Sequence, residues 1–215
     1  RDSSTSRGLG DVYKRQMYAN LDGKEGVNNG SNTLEDHGDL TIIGNNTPRY
    51  NFGLTLTGAW KGFDFSVFLQ GVMKRDYWLD GPYFWGANGG LWQSTAFKEH
   101  MDYWRPEGDP LGANTNAYYP KPYFNTDKNQ KVQSGYLQNA AYCRLKNAQI
   151  GYTLPKTWTR KAAMESVRVY VSGDNLVTFS GISGVFDPEL LGSDWGDGKF
   201  YPLQRTISIG LNVNF

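Results

Sequence analysis

The sequence predicts an all-β chain, and three observations carry that reading. Segments of roughly ten residues alternate between apolar and polar positions, the two-residue period of a strand whose faces meet different surroundings. The stretches between these segments alternate between very short and very long. The composition has 26 glycines, 15% aromatic residues and only 39% apolar residues, which suits short strands joined by wet, turn-rich loops. No run approaches the roughly eighteen apolar residues of a membrane helix. Transmembrane strands escape such scans, so a membrane barrel stays open.

The totals exclude several classes of function. With 22 basic and 21 acidic residues the formal charge is +1, so no net field favours nucleic acid. The single cysteine, Cys143, excludes an intrachain disulfide framework and a multi-cysteine metal site. His37 and His100 have no metal-ligand spacing. There is no P-loop, no GxSxG and no nucleophile–base pair at motif spacing, so the chain reads as a non-enzyme with no resident cofactor.

In order, residues 1–16 (RDSSTSRGLGDVYKRQ) are basic, lack a period and contain no apolar signal core. They read equally as a disordered leader or as sequence foreign to the rest of the chain, and they stay unassigned. The folded portion is expected over 17–215. Residues 17–39 are polar and turn-rich. Asn20, Asp22, Asn28, Glu35, Asp36 and Asp39 offer oxygen ligands, and Gly23 and Gly26 permit bends. Only fragments of a calcium-loop spacing are present. Asp22 is therefore a weak Ca²⁺ candidate, and a solvated loop is the plainer reading. Residues 40–44 read as a short extended piece before a turn at 45–48.

The first alternating strand comes after Tyr50, with Phe52, Leu54, Leu56 and Trp60 on one parity and Asn51, Thr55 and Thr57 on the other. Lys61-Gly62 predicts a tight turn into a second strand, where Phe63, Phe65, Val67 and Leu69 oppose Asp64, Ser66 and Gln70. Each arm of about eleven residues, tilted, spans roughly the 25 Å of an apolar membrane band. Residues 74–140 form a long aromatic insertion, with a short helix expected over 94–104, capped by Ser94 and stopped by Pro106.

A third strand, 141–154, slips phase: Cys143 and Leu145 share one parity, Ala148, Ile150 and Tyr152 the other. A bulge at Lys146-Asn147 would restore one face. A short basic connection, 155–166, leads to a fourth strand with Val167, Val169, Val171 and Val177 opposite Arg168, Tyr170, Ser172 and Asp174. A second Gly-rich loop, 180–202, precedes the last strand, 203–215, where Ile207, Ile209, Leu211, Val213 and Phe215 share one face. Short connections on one side and long loops on the other match the periplasmic and outer sides of an outer-membrane barrel.

The tracts IGNNTPRYNFGLTLTGAWKGFDFSVFLQG, YCRLKNAQIGYTLP, GDNLVTFSGISGVFDPE and YPLQRTISIGLNVNF resemble the carboxy-terminal region of the SusC/RagA family of TonB-dependent outer-membrane transporters. HMDYWRPEGDPLGANTNAYYPKPYF is similar to that family's long extracellular loop. Cys143 departs from the usual aliphatic residue, and the broken DGKEG tract from a fuller Asp/Asn/Gly loop.

The resemblance implies a carboxy-terminal fragment, about five antiparallel strands plus long extracellular loops, of a 22-stranded transmembrane β-barrel. It further implies uptake of oligosaccharides or peptides across the outer membrane of a Gram-negative bacterium, a SusD-like lipoprotein over the outer mouth, and TonB contact through a part of the protein outside this chain. Trp78, Trp85, Trp92 and Trp104 are the candidates for cargo or lid contact, against the plainer reading that loop aromatics pack the loop itself. Tyr50, Trp60 and Phe63 suit an interfacial girdle, Asp174 the lumen and Arg205 the rim. Phe215 resembles the terminal aromatic signal of barrel assembly. The alternative is a soluble β-sandwich that binds carbohydrate; a sandwich would bury the apolar face under a second sheet.

Overall fold

The computed structural model describes residues 19–21, 23, 26–86, 96–122, 130–192 and 197–215. The leader 1–16, Asp22, Trp92 and the expected cap Ser94 lie outside them. The described chain divides into two compact units, a strand unit (46–77, 138–191 and 200–215) and a loop unit that includes 78–137. No helix among the described residues is long and apolar enough to cross a membrane, which says nothing of strands.

Six strands form one sheet: β1 (Asn51–Trp60), β2 (Phe63–Val72), β3 (Asp76–Trp78), β4 (Leu137–Thr153), β5 (Ser166–Gly181) and β6 (Thr206–Asn214). The order is β1-β2-β4-β5-β6, with the short β3 also paired to β4. Neighbours along the main path are antiparallel. The β1–β2 hairpin closes on Lys61 (φ 48°) and Gly62 (φ 90°). Positive φ at both central residues is what a two-residue hairpin needs to match strand twist.

Register turns the alternation of each strand into continuous rows. Trp60, Phe63, Tyr152, Val169 and Leu211 are cross-strand partners in one row; Gly58, Phe65, Ile150, Val171 and Ile209 form the next. Leu56, Val67, Ala148, Gly173 and Ile207 make a third. The opposite face carries Thr57, Ser66, Gln149, Ser172 and Ser208 in one row. The apolar face is bare: Ile207, Ile209 and Leu211 are 69%, 79% and 61% exposed. Among the described residues there is a single sheet, so no second sheet covers this face as a sandwich would require.

The phase slip in β4 is a bulge. Phe68 pairs with Asn147 and Leu69 with Leu145, leaving Lys146 as the extra residue. The extra residue lets Leu145 and Cys143 rejoin the apolar rows, opposite Val177 and Phe179 of β5.

Three boundaries differ from expectation. β4 starts at Leu137 rather than 141, because the Ala140 N–H donates to the Arg75 carbonyl and extends the pairing. The last strand starts at Thr206 rather than 203; the Leu203 N–H is taken by the Asp187 carboxylate and the Gln204 carbonyl by the Asn175 amide. The helix expected over 94–104 is, among the described residues, a single 3-10 turn at Lys98–Met101. There the Phe97 N–H donates to His100 Nδ1 at 2.9 Å.

Candidate functional site: the polar face and the aromatic loop

The polar face of the strand unit carries an ion pair that spans three strands. Arg168 on β5 reaches across β4 to Asp64 on β2, its Nε 2.9 Å from both carboxylate oxygens and its Nη2 also donating to Oδ1. The residue it crosses is Gly151, where a Cβ would collide with both the Arg168 guanidinium and the Asp64 carboxylate. Glycine is therefore required for the fork to close. The guanidinium also lies over the Tyr170 ring, 5.0 Å from its centroid. Tyr170 in turn covers Gly210 on β6, where a Cβ would run into the ring. Both groups of the pair remain partly exposed, so solvent screens it and it fixes geometry more than it stabilises. Asp174 is on this polar parity and accepts a hydrogen bond from Asn147 Nδ2 at 2.8 Å.

Beyond the bulge the same face is closed by a turn of the β5–β6 loop. Pro188 sits at the second position of a turn closed by the Leu190 N–H donating to the Asp187 carbonyl at 3.0 Å. The turn presents Asp187 and Glu189 to β4. Arg144 is buried, and its Nε donates to Thr178 Oγ1 and its Nη2 to Asp187 Oδ1, each at 2.7 Å. Its Nη1 lies 3.3 Å from Glu189 Oε1, whose other oxygen accepts from Lys146 Nζ at 2.7 Å. Burying such charges is costly unless each finds an opposite one, and here two cations meet two carboxylates. The bulge residue Lys146 therefore supplies a charge as well as a change of phase.

The loop unit is held by aromatic packing. Phe84 and Trp85 lie on the one-turn helix α1 (Pro82–Trp85), with Gly81 and Gly86 at its ends both at positive φ. Phe84 is fully buried and Trp85 is 6% exposed. Edge-on contacts join Phe84 to Tyr119 at 5.6 Å and Trp85 to Tyr136 at 4.9 Å, the arrangement favoured by ring quadrupoles. His100 Nε2 meets the Phe84 carbonyl at 3.0 Å. Burial pushes the Tyr119 phenol well above its ordinary value, with the neighbouring Tyr118, Glu99 and Asp102 adding to the shift.

The expected contact residues thus fall in different surroundings. Trp85 is inside the aromatic cluster and Trp78 packs on it at 6.0 Å. Trp104 is half-buried, its backbone N–H donating to the Tyr119 carbonyl. Phe215 lies just past β6 and is 90% exposed. In the polar segment before β1, the Asp39 carboxylate accepts the N–H groups of Leu21 and Asn28, and Asp36 accepts from Ser31. Among the described residues no three His, Cys, Asp or Glu side chains converge on a metal position. Sequence reasoning missed the Asp64–Arg168 and Arg144–Asp187–Glu189 contacts. For Asp64, Arg168 and Arg144 the signal was a charge on the polar parity of a strand, with Gly151 on that parity in the strand between Asp64 and Arg168. Asp187 and Glu189 lie in a loop, which has no parity.

No family model matches the chain. Known proteins do. A TonB-dependent receptor of Formosa agariphila, designated P3, is 30% identical over 213 residues, covering 93% of this chain and 19% of the relative. The TonB-dependent receptor SusC of Bacteroides thetaiotaomicron is 26% identical over 193 residues, covering 87% of this chain and 17% of SusC. Among solved structures, the RagAB peptide transporter superposes with a TM-score of 0.59 at 28% identity, over 81% of this chain and 18% of that one. The RagAB peptide importer in its closed-closed state gives 0.60 at 26% identity, with the same coverage. The chain spans less than a fifth of the length of these relatives.

Proposed function

We propose that this chain, which belongs to the SusC/RagA family of TonB-dependent receptors, forms a carboxy-terminal wall segment of an outer-membrane importer that carries oligosaccharides or peptides into the periplasm. One observation carries the reading: apolar rows run unbroken across five strands on a bare face, and polar rows run across the other. Such a sheet suits lipid on one side and a wet lumen on the other. Its outer strands would pair with further strands of the same barrel, since unpaired backbone groups in lipid are costly. The work of this segment is gated passage of a bound cargo, without covalent chemistry.

The polar face then lines the conduit, the Lys61-Gly62 turn and the 154–165 connection face the periplasm, and the long loops face outward. A SusD-like lipoprotein would close over that outer side, and TonB would engage the rest of the protein. Among the described loop tryptophans, Trp78 and Trp104 are the ones we assign to cargo or lid contact, since both are only half-buried. Flat rings suit the C–H faces of sugars; the peptide reading is favoured by the solved neighbours, which are described as peptide transporters.

The test uses the full-length gene. Its deletion should abolish uptake of a labelled oligosaccharide or peptide by intact cells, and tagged protein should fractionate with the outer membrane and co-purify with a surface lipoprotein. Recovery of the full-length protein in the aqueous fraction without detergent would defeat the reading.

A further inference from the structure

The connection between β4 and β5, with its sequence LPKTWTRKAAME, is the most basic stretch of the strand unit that the transport reading leaves without a task. Three hydrogen bonds bring it to one edge of the sheet with the other short ends. The Thr153 N–H donates to the Gly62 carbonyl at 2.8 Å, the Leu154 N–H to the Val167 carbonyl at 2.9 Å, and the Glu165 N–H to the Asn214 carbonyl at 2.8 Å. The hairpin turn, the connection and the end of β6 therefore form one rim.

That rim combines aromatic and cationic groups. Trp60 and Phe63 are exposed cross-strand partners on the apolar face, and the Tyr152 ring packs at a tilt against Phe63, 4.5 Å between centroids. Trp158 on the short helix α2 (Lys156–Thr159) is 63% exposed. Lys61, Lys156, Arg160 and Lys161 are all exposed. Lys61 lies over the Trp60 ring, 4.9 Å from its centroid. Against these cations the connection holds one carboxylate, Glu165, and Asp64 nearby is taken by Arg168. None of the three connection cations has a carboxylate partner among the described residues.

Lys156 and Arg160 are four residues apart, and α2 runs directly into the 3-10 turn Arg160–Ala162. Like charges at that spacing share a face and repel. An anion between them removes the repulsion, and exposed tryptophan beside it fits the depth where aromatic rings and phosphates meet. Basic residues next to a membrane surface attract anionic lipid.

We propose that Lys156, Arg160 and Lys161, with Trp158 beside them and Lys61 across the rim, form a binding site for the phosphate headgroup of an anionic phospholipid in the leaflet that this rim meets. The inference rests on the membrane reading above. It is tested on the full-length protein, extracted in detergent, offered equal amounts of phosphatidylglycerol and phosphatidylcholine, and read by native mass spectrometry for retained lipid. Retention of phosphatidylglycerol should exceed that of phosphatidylcholine by on the order of tenfold. A Lys156→Gln/Arg160→Gln/Lys161→Gln protein that keeps its heat-resistant folded band should lose the preference, and Arg160→Lys should keep it. Equal retention of the two lipids, or a preference that survives in the triple variant, overturns the inference and leaves the membrane reading standing. A protein that needs no detergent and retains neither lipid defeats the membrane reading itself.

Discussion

Trp85 is buried among rings, in edge-on contact with Phe84 and Tyr136 and packed against Trp78. Its indole N–H has no hydrogen-bond acceptor among the described residues, so its contribution comes from ring burial. Replacing it with alanine should cost about 3–5 kcal/mol of loop stability, whereas phenylalanine, which keeps an edge-on ring, should cost much less. Limited proteolysis of the loop in the full-length protein reads this directly. Trp104→Ala should instead leave protease resistance near wild type and raise KM for cargo, and a wild-type KM would remove Trp104 from the contact surface. Tyr119 adds a pH dependence. Its phenol ionises later in the folded loop than in the unfolded chain, so the folded loop holds the proton more tightly. The stability linked to it is complete below the ordinary tyrosine value of about 10 and is lost as pH rises beyond it. Protease sensitivity should climb above that pH in wild type and climb less in Tyr119→Phe.

At the scale of elements, the β4 bulge separates two jobs that one residue performs. Deleting Lys146 leaves strict alternation through β4, so Leu145 and Cys143 stay on the apolar side and the strand should still pair. The deletion removes the ammonium that meets Glu189, so the expected result is a folded sheet whose 182–192 loop is cut faster by protease. Misassembly of the whole sheet would mean that the bulge is needed for register itself. Gly151→Val makes the complementary case: a side chain there collides with the Arg168–Asp64 fork, so the temperature at which the heat-resistant band is lost should fall, whereas Asp64→Asn, which removes only a solvent-screened charge, should shift it little.

The hairpin, the bulge and the two faces were legible in the sequence because each leaves a mark on parity over several residues. β3 and α1 were not, since three or four residues carry no period. The helix read over 94–104 rested on a cap and a stop without an apolar stripe, and only the turn held by His100 appears among the described residues. The contact of Arg144 with Asp187 joins residues 43 apart in sequence; local pattern marks where each residue lies and cannot say that they meet. Trp85 is aromatic in a loop, a property that surface and core rings share, so its sequence position does not separate contact from packing.

For the whole molecule, everything turns on which face of the sheet meets lipid, and β6 offers adjacent residues that decide it. Ile209 ends the row that starts at Gly58, and Ser208 ends the polar row that starts at Thr57. The two differ by one position along the chain and by the whole thickness of the sheet. A lysine at position 209 would place an ammonium among the apolar rows near mid-strand, at a cost of about 2–4 kcal/mol if those rows lie in the bilayer core. At position 208 the same lysine would point into a wet, polar surface at little cost. Ile209→Lys should therefore deplete folded protein from the outer-membrane fraction, read as the heat-resistant band, while Ser208→Lys should accumulate normally. Leu211→Lys, nearer the rim, should lie between them, because a longer chain there reaches headgroups. Equal accumulation of the two mid-strand variants would remove the distinction between a lipid face and a lumen face, and with it the reason for assigning this sheet to a barrel wall.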